Sequence, residues 1–556
     1  MKLNIFTRII VGLLFLGSII GSCSEDFLVE EPPHIIAAES LYESVDGFEN
    51  GLNGMYSLVR KQREGRNGPN YLLGEIMMNG NDNLCTNHAD GFARVAQQWG
   101  ERNNPTNWDM VATFDWAYEI VNAANTLIHR AEQSDINWAA NGMTAEENKN
   151  RILAEAHAIR AWAYRHLAFL WGDVPLSLEE SKGSNVKTDW QRAPVEEVWA
   201  QIKKDLLFSE KHLAIEPSVE GKISRGAVQH YLSELYLIDN KPDSALFWVN
   251  KCINTPEYKL ITERYGVRSD QPGVPFMDMF YPGNTNRSEG NTESLWTWQY
   301  EFETAGGGGS IMRRWHISRY NDLNIDGVTP LELTFDRGGR PRARMALTKF
   351  AIDLYDAEDD RGSQYAIRKF YILKDADQND TGKADQLPEG YSYGDTIRMD
   401  WSEDITYETR NRRDWPHSRK WEVSHAGDVN GNENFNDQAY LRLADTYLLK
   451  AEAQLQLGDE AGAAETINVV RRRANAPEIS SGEVDIDFIL DERSRELVVE
   501  EERRYTLLRT GKWLERTRLY NHNGGQYVTE RDKLFPIPQK VIDANLTYPM
   551  EQNPGY

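Results

Sequence analysis

The 556-residue sequence is poor in cysteine, in positive charge and in long apolar segments. Its three cysteines form no Cys/His cluster with zinc spacing, so we expect no metal site of that kind. The formal net charge of −24 argues against nucleic acid and anionic lipid as partners. A mean hydropathy of −0.62 argues against an integral membrane protein. The HExxH, GxSxG and Walker A motifs are absent as well, and we expect neither an enzyme nor a cofactor.

Residues 1–22 are predicted to be a lipoprotein signal peptide. Two basic residues precede an apolar run that is much shorter than the roughly 20 residues of a membrane-spanning helix. The run ends in the letters IGSC, where small residues before Cys23 fit a signal peptidase and its thiol could accept lipid, as in a bacterial lipobox. Residues 23–40, acidic and with prolines, are then a lipidated tether. An ordinary secretory signal with an incidental cysteine is the alternative.

Helical periodicity recurs along the chain and predicts stacked helical pairs. The clearest pair spans 439–477, where apolar or small residues repeat every three or four positions on both sides of a turn at Gly458 and Asp459. Two further pairs, 108–171 and 222–254, follow the same pattern, and 194–213 is another amphipathic helix. The fold class is therefore mainly α, with a helical-repeat scaffold of the tetratricopeptide type.

A long segment interrupts this scaffold. Residues 257–438 contain a run of four glycines, many polar residues and short strand-like pieces, at 294–300 and 370–373. Long irregular insertions in compact proteins are usually functional, so we expect the ligand surface here. The organisation predicted is a helical-repeat part at 41–256, the loop-rich insertion at 257–438, and a C-terminal helical part with a tail at 439–556.

Two smaller expectations concern charged and sulfur-containing side chains. The charged stretch 488–513 is predicted to be a helix whose charges form a solvated, ion-paired surface. After removal of the signal peptide only Cys85 and Cys252 remain in addition to Cys23. Two buried free thiols are favoured over a disulfide between them.

The chain resembles the SusD/RagB surface lipoproteins of the Bacteroidetes. The resemblance extends over residues 23–556 and rests on motifs in the family's order, rather than on any one of them. These motifs are Cys23-Ser24-Glu25-Asp26-Phe27-Leu28, Gly172-Asp173-Val174-Pro175-Leu176, Arg192-Ala193-Pro194-Val195-Glu196-Glu197-Val198, Leu441-Arg442-Leu443-Ala444-Asp445, Glu492-Arg493-x-Arg495-Glu496-Leu497, Pro536-Ile537-Pro538 and Gln552-Asn553-Pro554-Gly555-Tyr556.

The resemblance implies a SusD-like fold and a protein anchored on the outer face of the outer membrane. Such a protein covers a SusC-like TonB-dependent transporter and passes captured oligosaccharide to the pore. It also implies that the helical repeats face the transporter, while inserted loops form the ligand surface.

Sugar binding needs aromatic rings for stacking and polar groups for the hydroxyls. Trp315, just after the glycine run and beside Arg313, is the leading candidate, and Trp99 is the next. Three of the remaining candidates lie in or directly after an irregular early loop, residues 71–107: Asp82, Asn83 and Trp108. The other two, Trp296 and Tyr320, lie in the insertion. None of these residues lies in a motif that would identify it with a ligand-binding residue of the family. For any single Trp, packing in the core is an equally good interpretation.

Several alternatives stay open. The identity of the glycan is not given by the sequence, and the protein could instead bind peptides, as some members of the family do. A secreted glycoside hydrolase would need two carboxylates across a cleft, and counting acidic residues cannot exclude such a pair. Two stretches, 322–327 and 375–379, faintly resemble calcium loops but lack the acidic residue at position twelve, so solvated loops are favoured.

Overall fold

A computed structural model describes residues 38–556 except 66–71, 88–93, 183–184, 374–386, 400–412 and 426. Cys23 and the stretch 375–379 lie outside the described residues. Helices of seven residues or more are α1 Val45–Arg60, α2 Trp108–Gln133, α3 Ala145–Trp171, α4 Val195–His212, α5 Arg225–Ile238, α6 Pro242–Ile253, α7 Leu443–Gln456, α8 Glu460–Arg473, α9 Ile486–Leu497, α10 Arg503–Arg509 and α11 Trp513–Tyr520.

Shorter elements fill the loops. The short helices are Ala38–Leu41, Glu75–Met78, Trp99–Arg102, Pro275–Asp278, Met312–His316, Lys349–Asp353 and Gln539–Ala544. The strands are β1 Leu84–Thr86, β2 Ser294–Trp298, β3 Met345–Leu347, β4 Ile367–Arg368, β5 Phe370–Ile372, β6 Thr396–Arg398, β7 His417–Ser418 and β8 Gln438–Arg442. They form four antiparallel two-stranded sheets, β1–β3, β2–β8, β4–β7 and β5–β6.

The long helices pack against one another in a row. Helix α2 packs on α3, α3 on α4, α4 on α5, and α5 pairs with α6. The row continues through α7, which packs on α6, α8 and α9. Local signals set the ends of these helices: Thr144 and Glu147 form a capping box before α3, and Gly172 ends α3 with a positive φ of 69°. The mainly α fold predicted from the periodicity is confirmed.

The 439–477 hairpin forms nearly as predicted. Gly458 adopts φ 77° between α7 and α8, and the Asp459 carboxylate accepts the Gly462 N–H at 2.9 Å at the start of α8. One detail differs, because residues 438–442 are strand β8 and the helix begins only at Leu443. Their pairing with β2 joins the scaffold to the insertion.

The scaffold is continuous in space although the insertion interrupts it in sequence. Ala245 and Val249 of α6 form one buried apolar cluster with Leu449 and Ala453 of α7. The intervening residues therefore leave the helical row after α6 and return to it at the adjacent position.

The prediction for 488–513 is wrong in two respects. The stretch is divided between α9 and α10, with α11 starting at Trp513, instead of one helix. Its charges are buried rather than solvated: Glu496 forms ion pairs with Arg361, Arg442 and Arg473, and Glu500 pairs with Arg442. Helical spacing shows that charges share a face, but not whether partners from distant segments cover that face.

The two described cysteines are both buried and free, as favoured from the sequence. Burial raises the pKa of Cys85 well above its usual range and that of Cys252 to about 12. Both side chains therefore stay protonated and act as small apolar groups in the core.

Candidate functional site

The insertion forms a cleft of about 690 Å³. This volume is in the range of pockets that bind small molecules or short oligomers. Its lining, which we term the insertion cleft, comprises Arg268, Gln271, Thr334, Phe335, Asp336, Arg337, Gln364, Tyr365, Arg368, Lys369, Phe370, Tyr371, Ile372 and Arg419. All of these residues lie between α6 and α7.

Strands β4 and β5 form one wall of the cleft. β4 pairs with β7 and β5 pairs with β6, which fixes the backbone from Ile367 to Ile372. Tyr371 is fully buried and packs on Tyr320 with ring centroids 5.1 Å apart, in an apolar cluster that supports this wall. Because neighbouring residues of a strand face opposite sides, Phe370 remains partly exposed.

One buried carboxylate holds two arginines of the cleft in place. Glu422 accepts hydrogen bonds from Arg368 at 2.7 and 2.6 Å and from Arg419 at 2.5 Å. Although burial alone would raise it, these guanidinium groups hold the pKa of Glu422 well below its usual range. Two cations thus share one anion, which leaves a net positive charge on this wall of the cleft.

The chemistry of the lining suits a carbohydrate. Phe335, Tyr365 and Phe370 are partly exposed rings that can stack on the C–H faces of sugar rings. The amides of Gln271 and Gln364 can both donate and accept, so they match hydroxyl groups in either role.

Most residues predicted to bind ligand are buried. Trp108 is the exception, with 39% of its surface exposed at the start of α2. Seven others are buried: Trp315, Trp99, Arg313, Tyr320, Asp82, Asn83 and Trp296. Since stacking needs an open ring face, the four aromatic residues among these seven are better explained as parts of the core and of the framework behind the loops.

Arg313 and Tyr320 support the insertion cleft from behind. Arg313 donates to the carbonyl oxygens of Gly338 and Arg340 at 2.8 and 3.0 Å, and the Tyr320 hydroxyl donates to that of Gly339 at 2.9 Å. These bonds fix the turn that follows Phe335 and Arg337. The two residues therefore lie near the expected surface but act on its backbone.

The other buried candidates anchor separate parts of the fold. Asp82 forms ion pairs with Arg503 and Arg516 at 2.7 and 2.8 Å. Trp296 of β2 packs edge-on against Tyr440 of β8, with centroids 5.3 Å apart. Trp99 packs edge-on against Trp513, centroids 5.6 Å apart. Asn83 is buried and accepts the Thr348 N–H through its backbone oxygen at 2.9 Å.

The residues of the cleft were not singled out from the sequence, although they lie in the segment expected to bind ligand. A usable signal was the stretch 367–373, in which two basic and two aromatic residues lie within a short strand-like piece. Phe335 and Arg268 carry no local signal, because only the folding of the insertion brings them to this wall.

The described residues contain no group of three or more His, Cys, Asp or Glu side chains arranged to hold a metal ion. In the stretch 322–327, Asp322 pairs with Arg319 and the Asn324 side chain accepts the Gly327 N–H at 3.0 Å. None of the helices in the described part of the chain combines the length and apolar character required to cross a bilayer.

The fold agrees with what comparison with known proteins shows. Residues 278–556 match the SusD family, and residues 43–237 match a family described as "Starch-binding associating with outer membrane". The chain belongs to the SusD family, which confirms the resemblance seen in its motifs.

Individual relatives match along nearly the whole chain. SusD-like protein P25 of Formosa agariphila is 24% identical over 535 residues, covering 91% of this chain and 90% of the relative. A structure titled "Laminarin binding SusD-like protein" has a TM-score of 0.67 at 21% identity, covering 92% of this chain and 99% of the other. Surface glycan-binding protein A from Bacteroides thetaiotaomicron, solved with laminarihexaose, has a TM-score of 0.67 at 19% identity, covering 91% and 99%.

Proposed function

We propose that this protein is a cell-surface glycan-binding lipoprotein that captures oligosaccharides in the insertion cleft. The observation that carries the proposal is the cleft itself, which combines three partly exposed rings with amides and cations in a SusD-family chain. Two similar structures have titles that name laminarin or laminarihexaose, so laminarin oligosaccharides are the first ligands to test.

Binding without hydrolysis is favoured by the lining of the cleft. A glycoside hydrolase generally places two carboxyl groups on either side of the scissile bond. Among the described residues that line this cleft, Asp336 is the sole carboxylate. Binding of a peptide is the remaining alternative, and titration with short peptides beside glycans distinguishes it from glycan binding.

Delivery to a SusC-like TonB-dependent transporter is the second part of the proposal. An open groove of about 760 Å³ lies on the helical scaffold, and its apolar lining includes Phe169, Trp199, Ile238, Leu508 and Leu534. Exposed apolar grooves of this kind are typical of protein contact surfaces. We assign the groove to the transporter-facing side and Cys23 to the lipid anchor that holds the protein at the outer membrane.

The proposal is tested by calorimetric titration of the purified chain with laminarin oligosaccharides, other glycans and short peptides. Replacing Tyr365 or Phe335 by Ala removes a stacking ring, and we expect each change to weaken glycan affinity about tenfold. Phe247→Ala is the matched control, because this ring is 59% exposed on scaffold helix α6.

Three results would contradict the proposal. One is glycan affinity that is the same in all three variants, which would place the site elsewhere, with Trp108 as the next position to change. Another is release of reducing sugar that survives repurification, and the last is tight binding of peptides with no binding of any glycan.

A further inference from the structure

Five arginines from two neighbouring segments of the insertion form a compact positive cluster. The short helix Met312–His316 lies beside residues 340–344, since the N–H groups of Arg342 and Arg344 donate to the carbonyl oxygens of Arg314 and Trp315 at 2.8 Å. We term Arg313, Arg314, Arg340, Arg342 and Arg344 the arginine cluster. It lies in the loop-rich part of a chain whose formal net charge is −24.

Arg314 is the unusual member of this cluster. Only 2% of its surface is exposed, and its Nε and Nη1 atoms have no hydrogen-bond partner among the described residues. Two other buried arginines, in contrast, face carboxylates: Arg361 meets Asp359 and Arg442 meets Glu500. Burying a cation without a counter-charge is costly, so such a residue points to a partner that is supplied from outside.

The charged side chains that act on Arg314 are themselves arginines, so they add to the positive charge around it. Burial, together with Arg342, Arg340, Arg313 and Arg344, lowers the pKa of Arg314 to about 9. Arg313 directs its own donors at backbone carbonyl oxygens and not at a carboxylate.

Unpaired donors also lie next to the cluster. Asn87 donates its backbone N–H to the Arg344 carbonyl at 2.8 Å, and its buried side-chain amide has no partner among the residues that the structure describes. The indole N–H of Trp315, the residue after Arg314, is likewise buried and has no partner in the described part of the chain. Arg340 is exposed, which gives the cluster one member in contact with solvent.

We propose that Arg314 and Arg340 of the arginine cluster bind an oxyanion substituent, a carboxylate or a sulfate ester, carried by the captured oligosaccharide. Guanidinium groups bind both kinds of oxyanion through pairs of parallel hydrogen bonds. This inference rests on the proposed glycan binding and specifies the ligand class as acidic glycans.

The anion site is tested first with inorganic sulfate, by thermal unfolding of the full chain. Sulfate stabilises many proteins non-specifically, so the comparison is made between variants at matched ionic strength in sulfate and in chloride. We expect the wild-type protein to gain several degrees in sulfate over chloride. Arg314→Met should lose this difference, and Arg472→Met, at a scaffold arginine that is 45% exposed, should retain it.

A second variant covers the case in which Arg314→Met does not fold. Arg340→Gln changes an exposed residue and should reduce the sulfate response without lowering the melting temperature in chloride. A sulfate response that is equal in the wild type and in both arginine-cluster variants would overturn the proposal.

The source of the oxyanion is then identified with three polysaccharides: polygalacturonate, carrageenan and laminarin. We expect one of the two acidic polymers to bind, more weakly at high salt, and about tenfold more weakly to Arg314→Met or Arg340→Gln. Polygalacturonate would identify a carboxylate and carrageenan a sulfate ester.

The outcomes separate this inference from the function on which it rests. Binding of laminarin with no binding of either acidic polymer would overturn the acidic-glycan assignment and leave the proposed function in place. A sulfate response that depends on Arg314, with no binding of any polysaccharide, would overturn both.

Discussion

Asp82 neutralises two buried guanidinium groups that come from the far end of the chain. Its carboxylate accepts from Arg503 at 2.9 and 2.7 Å and from Arg516 at 2.8 Å. Burial acts to raise its pKa, but the two arginines hold the pKa of Asp82 below its usual range. A residue type that suits a sugar hydroxyl is thus used here to tie the early loop to helices α10 and α11.

The substitution Asp82→Asn should be strongly destabilising. It leaves two buried guanidinium groups without their anion, and breaking a buried ion pair from one side typically costs about 3–5 kcal/mol. Urea unfolding of the purified protein measures the loss.

The matched control is Asp115→Asn, which removes a carboxylate from a pair with the exposed Lys540. Here we expect less than about 1 kcal/mol. Equal losses at the two positions would show that the Asp82 pairs contribute no more than a surface ion pair does.

At the level of secondary structure, sequence periodicity predicted the scaffold well. The bounds of α8 and the end of α7 follow from the repeat of apolar and small residues, although α7 begins at Leu443 and not at 439. The bounds of β2 and β5 fall within the strand-like pieces expected in the insertion. These patterns are local, so they are visible in a window of about a dozen residues.

The candidate site was less predictable for a physical reason. Trp315 and Tyr365 are both aromatic residues of the insertion, yet one is buried and the other lines the cleft. Which of them becomes exposed depends on contacts between segments far apart in sequence, such as the packing of Tyr320 on Tyr371. No periodicity within either segment encodes that choice.

The packing contact between α6 and α7 leads to a second prediction about the free energy of unfolding. Leu449 is buried against α6, so Leu449→Ala should leave a cavity and cost about 2–5 kcal/mol. The same substitution at Leu457, at the end of α7 and 39% exposed, should cost much less than 1 kcal/mol. Thermal and urea unfolding of both variants provide the comparison.

If the two leucine variants lose similar amounts of stability, the helical row is not continuous across the insertion. In that case α5–α6 and α7–α8 would behave as separate units, and unfolding would show two transitions instead of one.

The whole molecule is held together by buried charges that join the insertion to the scaffold. Glu293 and Arg361 of the insertion meet Arg442, Arg473, Glu492 and Glu496 of the C-terminal part. Lys420 pairs with Glu500 at 2.5 Å. Because both partners of each pair are buried, the network fixes how the loops sit on the helices and is sensitive to the protonation of its carboxylates.

This network predicts loss of stability in acid. Burial acts to raise the pKa values of Glu492, Glu496 and Glu500, but their arginine and lysine partners hold all three below the usual range, as with Asp82. A carboxylate whose pKa is lower in the folded state contributes stability above its unfolded pKa, about 4, and loses that contribution as the pH falls towards the folded value.

The free energy of unfolding should therefore fall steeply below about pH 4, by up to about 1.4 kcal/mol per pH unit for each such carboxylate. Urea unfolding at pH 7, 5, 4 and 3.5 gives the slope, which counts the protons taken up on unfolding. Asp115→Asn, which alters a surface pair, should leave the slope unchanged. A protein as stable at pH 3.5 as at pH 7 would mean that these four carboxylates are not held in their charged form by their partners, and that the loops are joined to the scaffold mainly by apolar contacts such as those of Trp296 with Tyr440.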